Sequence, residues 1–300
     1  MRKVRSEQEL EAMARELEAT ERFRVLRRLE PRRSESGDVS RETRLGLFLD
    51  LETTGLNPGY DEVIELAMTP FRFTPAGEIL EVLPSFEALQ APSRPISPEV
   101  TALTGIDDTM VAGQTIDANA VYQFVAPAVV ILAHNAAFDR PFAERLCDVF
   151  TTKAWGCSMS QIDWASEGFE GTKLAYLAAC AGFFYDGHRA AHDCAAAIEL
   201  LSRPLPKTGE KPLSRLLTTA RRPTWRIWAE NAPYDLKDVL KRRGYRWSGG
   251  GDGRPKAWYF DAFEETRDAE LAFLRGEIYR GDIEPLTRRI TAFDRFSDRC

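Results

Sequence analysis

The chain has 300 residues, of which 44% are hydrophobic and 29% charged, and a formal net charge of −6 at pH 7. This length is enough for one or two domains with a substantial core. No apolar run is long enough to cross a bilayer, and the basic, polar start lacks the apolar stretch of a signal peptide, so we expect a cytoplasmic protein without a membrane partner.

The charges are unevenly distributed along the chain, and the cysteines show no metal-site spacing. Residues 1–44 carry a net charge of +2, residues 45–203 carry −13, and residues 204–300 carry +5. The five cysteines lack the paired spacing of a zinc site, and their odd number indicates reduced, mostly buried thiols.

The chain opens with a predicted amphipathic helix. A capping-box pattern occupies residues 6–9, and Leu10, Met13 and Leu17 share one helical face. We assign residues 1–43 to this helix and a polar extension. The apolar face needs a partner, either the rest of this chain or a second copy, so a homo-oligomer formed through the helix is one alternative.

The first chemical motif follows the apolar run at residues 45–49, which predicts a buried strand. Asp50 and Glu52 lie at the polar end of this strand. Side chains two residues apart on a strand point to the same face, so both carboxylates can share one divalent cation. This pair alone is a weak signal, because surface carboxylates are common.

The second motif, residues 134–139, follows another apolar run and leads into a predicted helix. Pro141 suits the first turn of that helix and Asp139 the cap before it, so Asp139 taken alone is interpreted as an N-cap. His134 is interpreted as structural, closing hydrogen bonds at the end of the strand.

The third motif, residues 188–193, opens a predicted helix that runs to residue 202 through an alanine-rich segment. It contains Asp193 and two histidines. On a helix His192 points about 100° away from Asp193, so His188 is the better candidate for chemistry.

Together the motifs supply four carboxylates and a histidine. Phosphoryl chemistry with two metals about 3.5–4 Å apart needs acidic ligands, open positions for phosphate and water, and a nearby base. A free imidazole has a pKa of about 6.5, so a histidine can accept a proton from water near neutral pH. An acidic segment suits a polyanionic substrate only where cations neutralise its site, and such metals would do this.

With these three motifs in this order, residues 44–203 resemble the DEDD exonuclease superfamily. The match is to its histidine-containing branch, which includes the proofreading subunit of bacterial DNA polymerase III. The sister branch has a tyrosine where this chain has Arg189, which indicates the histidine branch. The resemblance implies His188 as the general base and, as ligands of two divalent ions (Mg²⁺ or Mn²⁺), the carboxylates Asp50, Glu52, Asp139 and Asp193.

The resemblance also implies substrate contacts beside the first two motifs, made by Thr53, Thr54, Leu56 and Phe138. The threonines would hold a terminal 3′ hydroxyl, and Leu56 would pack against the last base. Leu56 and Phe138 also have alternative roles that are purely structural. Leu56 would then cap the core, and Phe138 would pack against the following helix instead of stacking on a base.

The expected architecture is an α/β, ribonuclease-H-like exonuclease fold, which is a mixed sheet flanked by helices. Three strands would form an antiparallel meander, and two more would pair in parallel beside it. In that order the strands are expected at residues 45–51, 62–73, 78–89, 129–133 and 153–157. Residues 92–113 are expected to form a long loop with at most a short helix.

Beyond the exonuclease domain at residues 44–203, three prolines and a glycine at residues 204–212 predict a linker. Residues 213–300 would form a small basic α+β module. Residues 204–258 contain 13 basic and 5 acidic residues and four of the six tryptophans. Interleaved basic and aromatic residues suit single-stranded nucleic acid, although a small core with a solvated basic face is the alternative. The candidate contacts are Arg226, Lys241, Arg242, Arg243 and Trp247.

The sequence and the resemblance together predict a 3′→5′ exonuclease that hydrolyses single-stranded ends, with DNA as the first choice, to nucleoside 5′-monophosphates. A polymerase or repair complex is the expected partner. One alternative is a 3′→5′ exoribonuclease, because no feature of the sequence shows whether the site accepts or rejects a 2′-hydroxyl. Another is a nucleic-acid-binding, polymerase-associated subunit without turnover, which the complete carboxylate set disfavours.

Overall fold

The structure, a computed structural model, describes residues 5–30, 32, 41–251 and 253–300, and much of the predicted polar extension lies outside them. The strands are β1 (Arg27–Arg28), β2 (Arg44–Thr53), β3 (Val63–Phe73), β4 (Ile79–Val82), β5 (Phe86–Leu89), β6 (Val130–Ala133), β7 (Ala154–Cys157), β8 (Phe183–Phe184), β9 (Thr224–Ala229), β10 (Arg246–Trp247), β11 (Trp258–Phe263) and β12 (Thr287–Ile290). The helices are α1 (Glu7–Ala19), α2 (Pro98–Thr104), α3 (Asp108–Val111), α4 (Ala118–Val125), α5 (Ala136–Leu146), α6 (Leu174–Cys180), α7 (Ala190–Ser202), α8 (Pro212–Arg221), α9 (Lys237–Arg242) and α10 (Glu264–Phe273). No helix in these described ranges is long and apolar enough to span a membrane.

A mixed sheet in the order β4-β3-β2-β6-β7, with β5 also paired to β3, forms the centre of the protein. β2 is antiparallel to β3 and parallel to β6, and β6 is parallel to β7. Alternate residues of β2 are buried on opposite faces. Phe48 packs with α6, α7 and α8, whereas Leu47 and Leu49 pack with α4 and α5. A mixed sheet with helices on both faces confirms the predicted ribonuclease-H-like α/β fold.

Two local predictions in this part of the chain are wrong. The strand expected at residues 78–89 is split into β4 and β5 at Pro84, which has no N–H group to donate to a ladder. The loop expected at residues 92–113 contains two short helices, α2 and α3. Side chains cap their N-termini, from Ser97 and Asp107 respectively.

The helices that carry the second and third motifs begin at other residues than predicted. α5 begins at Ala136, so Asp139 lies inside the first turn and its interpretation as an N-cap is wrong. Pro141 accordingly lies inside the helix and not at its start. α7 begins at Ala190, two residues after His188, because His188 has a left-handed φ of 64° that a right-handed helix cannot accommodate.

The segment predicted as a linker, residues 204–212, is held against the central domain. Glu167 is 3% exposed and accepts hydrogen bonds from the amides of Lys207 and Thr208 at 2.9 and 3.2 Å. It also pairs with Arg215 on α8 at 2.8 Å. α8, which lies beyond the boundary predicted at residue 213, buries its apolar face in the same core as α7.

A second, antiparallel sheet in the order β10-β11-β9-β12 follows. In this sheet β11 pairs with both β10 and the aromatic strand β9. Its small core includes Ile227, Leu240 and Leu274. The last forty residues contain α10 and β12, and the exposed Arg288 and Arg289 of β12 show no alternation that would mark a strand.

Arg140 on α5 attaches the C-terminal segment to the central domain. Its side chain is fully buried, and its guanidinium donates to the carbonyls of Arg295 at 2.7 Å and Phe293 at 2.6 Å. Its Nε donates to Glu144 at 2.7 Å, and Glu144 also pairs with Arg299 at 3.0 Å. We call this set of contacts the Arg140 clasp.

The N-terminal helix is present as α1, and its capping box is formed between Ser6 and Glu9. Leu10, Met13 and Leu17 on this helix remain between 39 and 53% exposed. Self-association through α1 therefore stays a prediction.

Replacing Arg140 with alanine is expected to lower the free energy of unfolding by about 3–5 kcal/mol, because the change removes one of the partners of Glu144 and leaves several carbonyl acceptors without a donor. Urea unfolding measures this. The matched control is Arg145→Ala, an exposed position on the same helix, which should stay within about 0.5 kcal/mol of the parent. Equal stability of the two variants would contradict the clasp.

Candidate active site

Three elements bring the predicted carboxylates together. Asp50 and Glu52 lie on β2, Asp193 lies in the first turn of α7, and α7 packs directly on β2 and β3. One oxygen of each of these three side chains lies within 4.8 Å of the others, which is the spacing of a metal site. Asp139 on α5 is 3% exposed, and its charge, after burial, is the next cause that raises the pKa of Asp50.

Burial and mutual repulsion disfavour ionisation of these carboxyls. Burial, followed by the charge of Asp193, raises the pKa of Glu52 to about 8. Burial also raises the pKa of Asp139 to about 8 and lifts the pKa of Asp193 above its usual range. Near neutral pH such a group ionises fully only beside a positive charge. An all-carboxylate oxygen donor set fits hard divalent ions such as Mg²⁺ or Mn²⁺.

The Asp193 carboxylate is oriented by two donors. The Tyr185 hydroxyl donates to Oδ1 at 2.8 Å, and the backbone N–H of His188 donates to Oδ2 at 2.8 Å. Burial, and then the Asp193 charge, raise the pKa of Tyr185, so the phenol remains a donor. Partners of this kind orient the ligands of metal sites. Sequence reasoning missed Tyr185, since no periodic pattern marks it.

An ion pair with a buried glutamate and a partly exposed arginine supports the other side of the cluster. Glu65 on β3 lies opposite Glu52 in the β2–β3 register and is 4% exposed. It accepts from Arg189 at 2.8 Å and from the backbone N–H of Ala190 at 2.9 Å. Arg189 therefore neutralises a carboxylate beside the cluster and fixes the start of α7. A glutamate within the apolar run of β3 was the available signal for this pair.

The two histidines of the third motif have different surroundings. His188 is exposed and adjoins Asp193 through its backbone N–H, in a left-handed conformation that costs free energy unless its surroundings hold it. The Nδ1 atom of His192 lies 2.9 Å from the carbonyl oxygen of Asp186. The role of His188 as base stays a prediction.

His134 is structural, as predicted. Its two ring nitrogens lie 2.9 Å from the Ser158 hydroxyl and 2.7 Å from the Thr172 carbonyl oxygen, and the residue is buried directly after β6.

The two threonines of the first motif shape the turn that follows β2. The hydroxyl of Thr53 donates to the carbonyl of Gly55 at 2.6 Å, and the hydroxyl of Thr54 accepts from the amide of Glu62 at 3.0 Å. A Cβ atom at Gly55 would lie 2.6 Å from the carboxylate of Asp61, so a larger residue there would displace the Asp61 side chain. The predicted contact of Thr53 and Thr54 with a 3′ hydroxyl stays a prediction.

Leu56 is 84% exposed, so its interpretation as a core cap is wrong. Phe138 packs on Phe142 of the same helix with ring centroids 5.1 Å apart, in agreement with the alternative that it packs against this helix. Leu56 and Phe138 nevertheless line one cavity together with Asn135.

The predicted nucleic-acid contacts of the C-terminal module fall into two groups. Arg226 is buried and pairs with Asp261 at 2.8 Å, and Arg243 pairs with Glu270 at 2.9 Å. Arg243 is nevertheless exposed, as are Lys241, Arg242 and Trp247.

The metal-free protein is expected to lose stability as the pH rises from about 6 to about 9. The cluster carboxyls have raised pKa values in the folded state, so the folded protein binds more protons than the unfolded chain below about pH 8. The stability that these bound protons contribute is lost as the pH rises through about 8. Mg²⁺ or Mn²⁺ should restore the melting temperature, more at high pH than at low pH.

Melting curves in EDTA and in Mn²⁺ across this range provide the measurement. The Glu52→Gln chain, which has one charge fewer in the cluster, should melt higher than the parent in EDTA at high pH and gain less from Mn²⁺. A parent protein that becomes more stable with pH in EDTA would refute the repulsive cluster.

The chain is similar to replicative polymerases over part of its length. It is 29% identical over 170 residues to the PolC-type DNA polymerase III of Caldanaerobacter subterraneus subsp. tengcongensis, covering 55% of this chain and 12% of that protein. It is 38% identical over 98 residues to the PolC-type DNA polymerase III of Bacillus subtilis, covering 32% of this chain and 6% of that protein. The chain therefore spans only a small part of these relatives.

Two solved structures are also similar. Exonuclease X in complex with 5′ overhanging duplex DNA has 23% identity and a TM-score of 0.42, over 57% of this chain and 99% of that one. Escherichia coli exonuclease I in complex with a dA16 oligonucleotide has 16% identity and a TM-score of 0.49, over 78% of this chain and 71% of that one.

The sequence profile of the exonuclease family, RNase_T, matches residues 47–201, which include β2, α5 and α7 and all four clustered carboxylates. This match covers more than half of the chain, and the protein therefore belongs to the RNase_T exonuclease family.

Proposed function

We propose that this protein is a 3′→5′ exonuclease that hydrolyses single-stranded DNA ends to nucleoside 5′-monophosphates with two divalent ions. Membership of the exonuclease family supports the reaction class. The single observation that carries the proposal is the convergence of Asp50, Glu52 and Asp193, with Asp139 beside them. The PolC-type DNA polymerase III relatives favour DNA as substrate and a polymerase or repair complex as partner.

The chain's own residues would divide the work as follows. The clustered carboxylates would hold the cations, which would supply a water of lowered pKa and stabilise the leaving 3′ oxygen. Tyr185 and the His188 amide keep the Asp193 carboxylate in one orientation. The exposed Leu56 supports the proposal that the terminal base packs against this side chain. The backbone at Thr53 and Thr54 would hold the terminal 3′ hydroxyl.

We further propose that His188 is the general base, as in the histidine branch of these exonucleases. His188 is exposed, and its backbone N–H donates to Asp193, so the residue lies beside the carboxylates. Its imidazole would take a proton from the attacking water. The occupation of the alternative tyrosine position by Arg189, whose guanidinium is committed to Glu65, supports this choice.

The packing of α8 supports a revised division into domains. We propose an N-terminal extension at residues 1–43, an exonuclease domain at residues 44–221, and a C-terminal module at residues 222–300. The Arg140 clasp holds these last two parts together.

Asp193→Asn is expected to lower turnover by at least about 10³-fold while the protein stays folded, because it removes a charged ligand needed in the transition state. The control is Asp148→Asn, an exposed carboxylate outside the cluster, which should keep parental turnover. Labelled DNA and RNA oligomers of one sequence, each with Mg²⁺, Mn²⁺ or EDTA, provide the measurement. Faster hydrolysis of RNA would select the exoribonuclease alternative, and turnover in EDTA would contradict the metal site.

His188→Ala is expected to lower kcat by about 10²–10⁴-fold, with partial recovery at high pH as hydroxide replaces the missing base. His192→Ala is the matched control and should retain the parental rate and pH profile. A larger loss in the His192 variant would transfer the base to that residue, and two unaffected variants would show that solvent takes the proton.

A further inference from the structure

A cavity of about 360 Å³ lies between the exonuclease domain and the C-terminal module. Ala137 and Gln161 line it on the exonuclease side, and Tyr259 lines it on the module side. Its charged lining consists of the arginines Arg226, Arg246, Arg254 and Arg295 and the carboxylates Asp261 and Asp298. We refer to it as the arginine cavity.

The positive charges in the arginine cavity are incompletely neutralised. Asp261 is shared by two guanidiniums, those of Arg226 at 2.8 Å and Arg246 at 2.7 Å. Arg295 donates to backbone carbonyls only, those of Ala220 and Arg222, at 3.1 and 2.8 Å. Arg226 also donates to the backbone oxygen of Cys300 at 2.7 Å. The lining side chains still comprise four guanidiniums and two carboxylates, and this excess of positive side-chain charge favours an anion.

Two buried polar atoms of the lining residues have no partner among the residues that the structure describes. They are the Nε of Arg254 and the Oγ1 of Thr224, a residue that is only 7% exposed. Arg254 reaches Asp298 only at 3.6 Å, beyond hydrogen-bond distance. A buried donor without an acceptor costs about 1–3 kcal/mol, so a ligand rich in acceptor oxygens would remove this penalty.

The arginine cavity continues toward the carboxylates. A second cavity, of about 540 Å³, is lined by Leu56 and Phe138 and shares Ala137, Arg254 and Asp298 with the first. Leu56 lies four residues beyond Glu52, and Phe138 directly precedes Asp139. The two cavities thus form one cleft from the neighbourhood of the carboxylate cluster to the arginines. The Arg140 clasp fixes the C-terminal segment that forms part of its wall.

We propose that this cleft binds the phosphodiester backbone of the substrate strand on the 5′ side of the nucleotide being removed, with Arg246 and Arg254 contacting its phosphates. The assignment rests on the proposed exonuclease function, which requires a strand to extend away from the carboxylates. Guanidinium groups match phosphate oxygens in charge and geometry. Of the contacts expected from sequence, Arg226 lines the arginine cavity, whereas the exposed Lys241 and Arg242 line neither cavity.

The first test is binding of a 5′-fluorescein-labelled oligothymidylate to the full chain carrying Asp193→Asn, in Mg²⁺ and at several salt concentrations. Arg254→Gln and Arg246→Gln should each weaken binding about tenfold, which corresponds to about 1.4 kcal/mol. Each should also reduce the slope of log K against log salt by about 0.7, the value for one phosphate contact on a single strand.

The matched control is Arg289→Gln. Arg289 is exposed and lies opposite Trp225, one residue along from the Arg288–Arg226 pair, so it projects from the other face of the sheet. Its affinity and salt slope should equal those of the Asp193→Asn parent. Melting temperatures of all variants exclude unfolding as the cause, and two separate cleft variants protect against the failure of either one to fold.

The second test uses chains with Asp193 intact and compares a long oligothymidylate with the p-nitrophenyl ester of thymidine 5′-monophosphate, which is too short to reach the arginines. The cleft variants should lose kcat/KM about tenfold on the oligomer and keep the parental value on the ester. Parental affinity in both cleft variants, or equal losses on both substrates, would overturn the cleft assignment. A parent chain that binds the oligomer but hydrolyses neither substrate would overturn the proposed function and leave the cleft assignment standing.

Discussion

Repulsion between buried carboxylates is the constraint around which this protein is arranged. Asp50, Glu52, Asp139 and Asp193 are gathered from three elements, and their raised pKa values express the cost of ionising them together. If stability alone decided the arrangement, such groups would be separated or neutralised by arginines. Here the nearest arginine, Arg189, is paired with Glu65, so the cluster is left for cations that enter from outside the chain.

The rest of the exonuclease domain holds this unfavourable cluster in place. β2 is buried on both faces, so the apolar packing of Leu47, Phe48 and Leu49 anchors the strand from which two of the carboxylates project. α7 presses on β2 and β3, and the Glu65–Arg189 pair fixes where it starts. Hydrophobic burial, which is non-directional, supplies the stability, whereas a few directional bonds around Asp193 set the geometry.

The Arg140 clasp couples the site to the C-terminal module, because Arg140 follows Asp139 on the same helix. A fully buried arginine that donates to several carbonyls resists rearrangement, since any movement would leave charge and acceptors unsatisfied. The proposed cleft for the strand is therefore formed by two parts of the chain that are held in register before any substrate arrives. Its charge is positive where the exonuclease domain as a whole is acidic, so cations at one end and arginines at the other would share the polyanion.

The sequence by itself determined the mixed α/β fold, the order of the main strands and helices, and the identity of the carboxylates. Strand and helix periodicities are local properties, and Asp50, Glu52, Asp139 and Asp193 each adjoin such a pattern. Only the tertiary structure decided the hydrogen bond from Tyr185, the Glu65–Arg189 pair, the anchoring of residues 204–212 by Glu167 and the Arg140 clasp. It also replaced the N-cap role of Asp139 with a position inside α5, and it gave His188 its left-handed backbone. These features depend on which side chains meet after folding, and pairs such as Arg140 with Arg295 are too far apart in the chain for any local pattern to specify their contact.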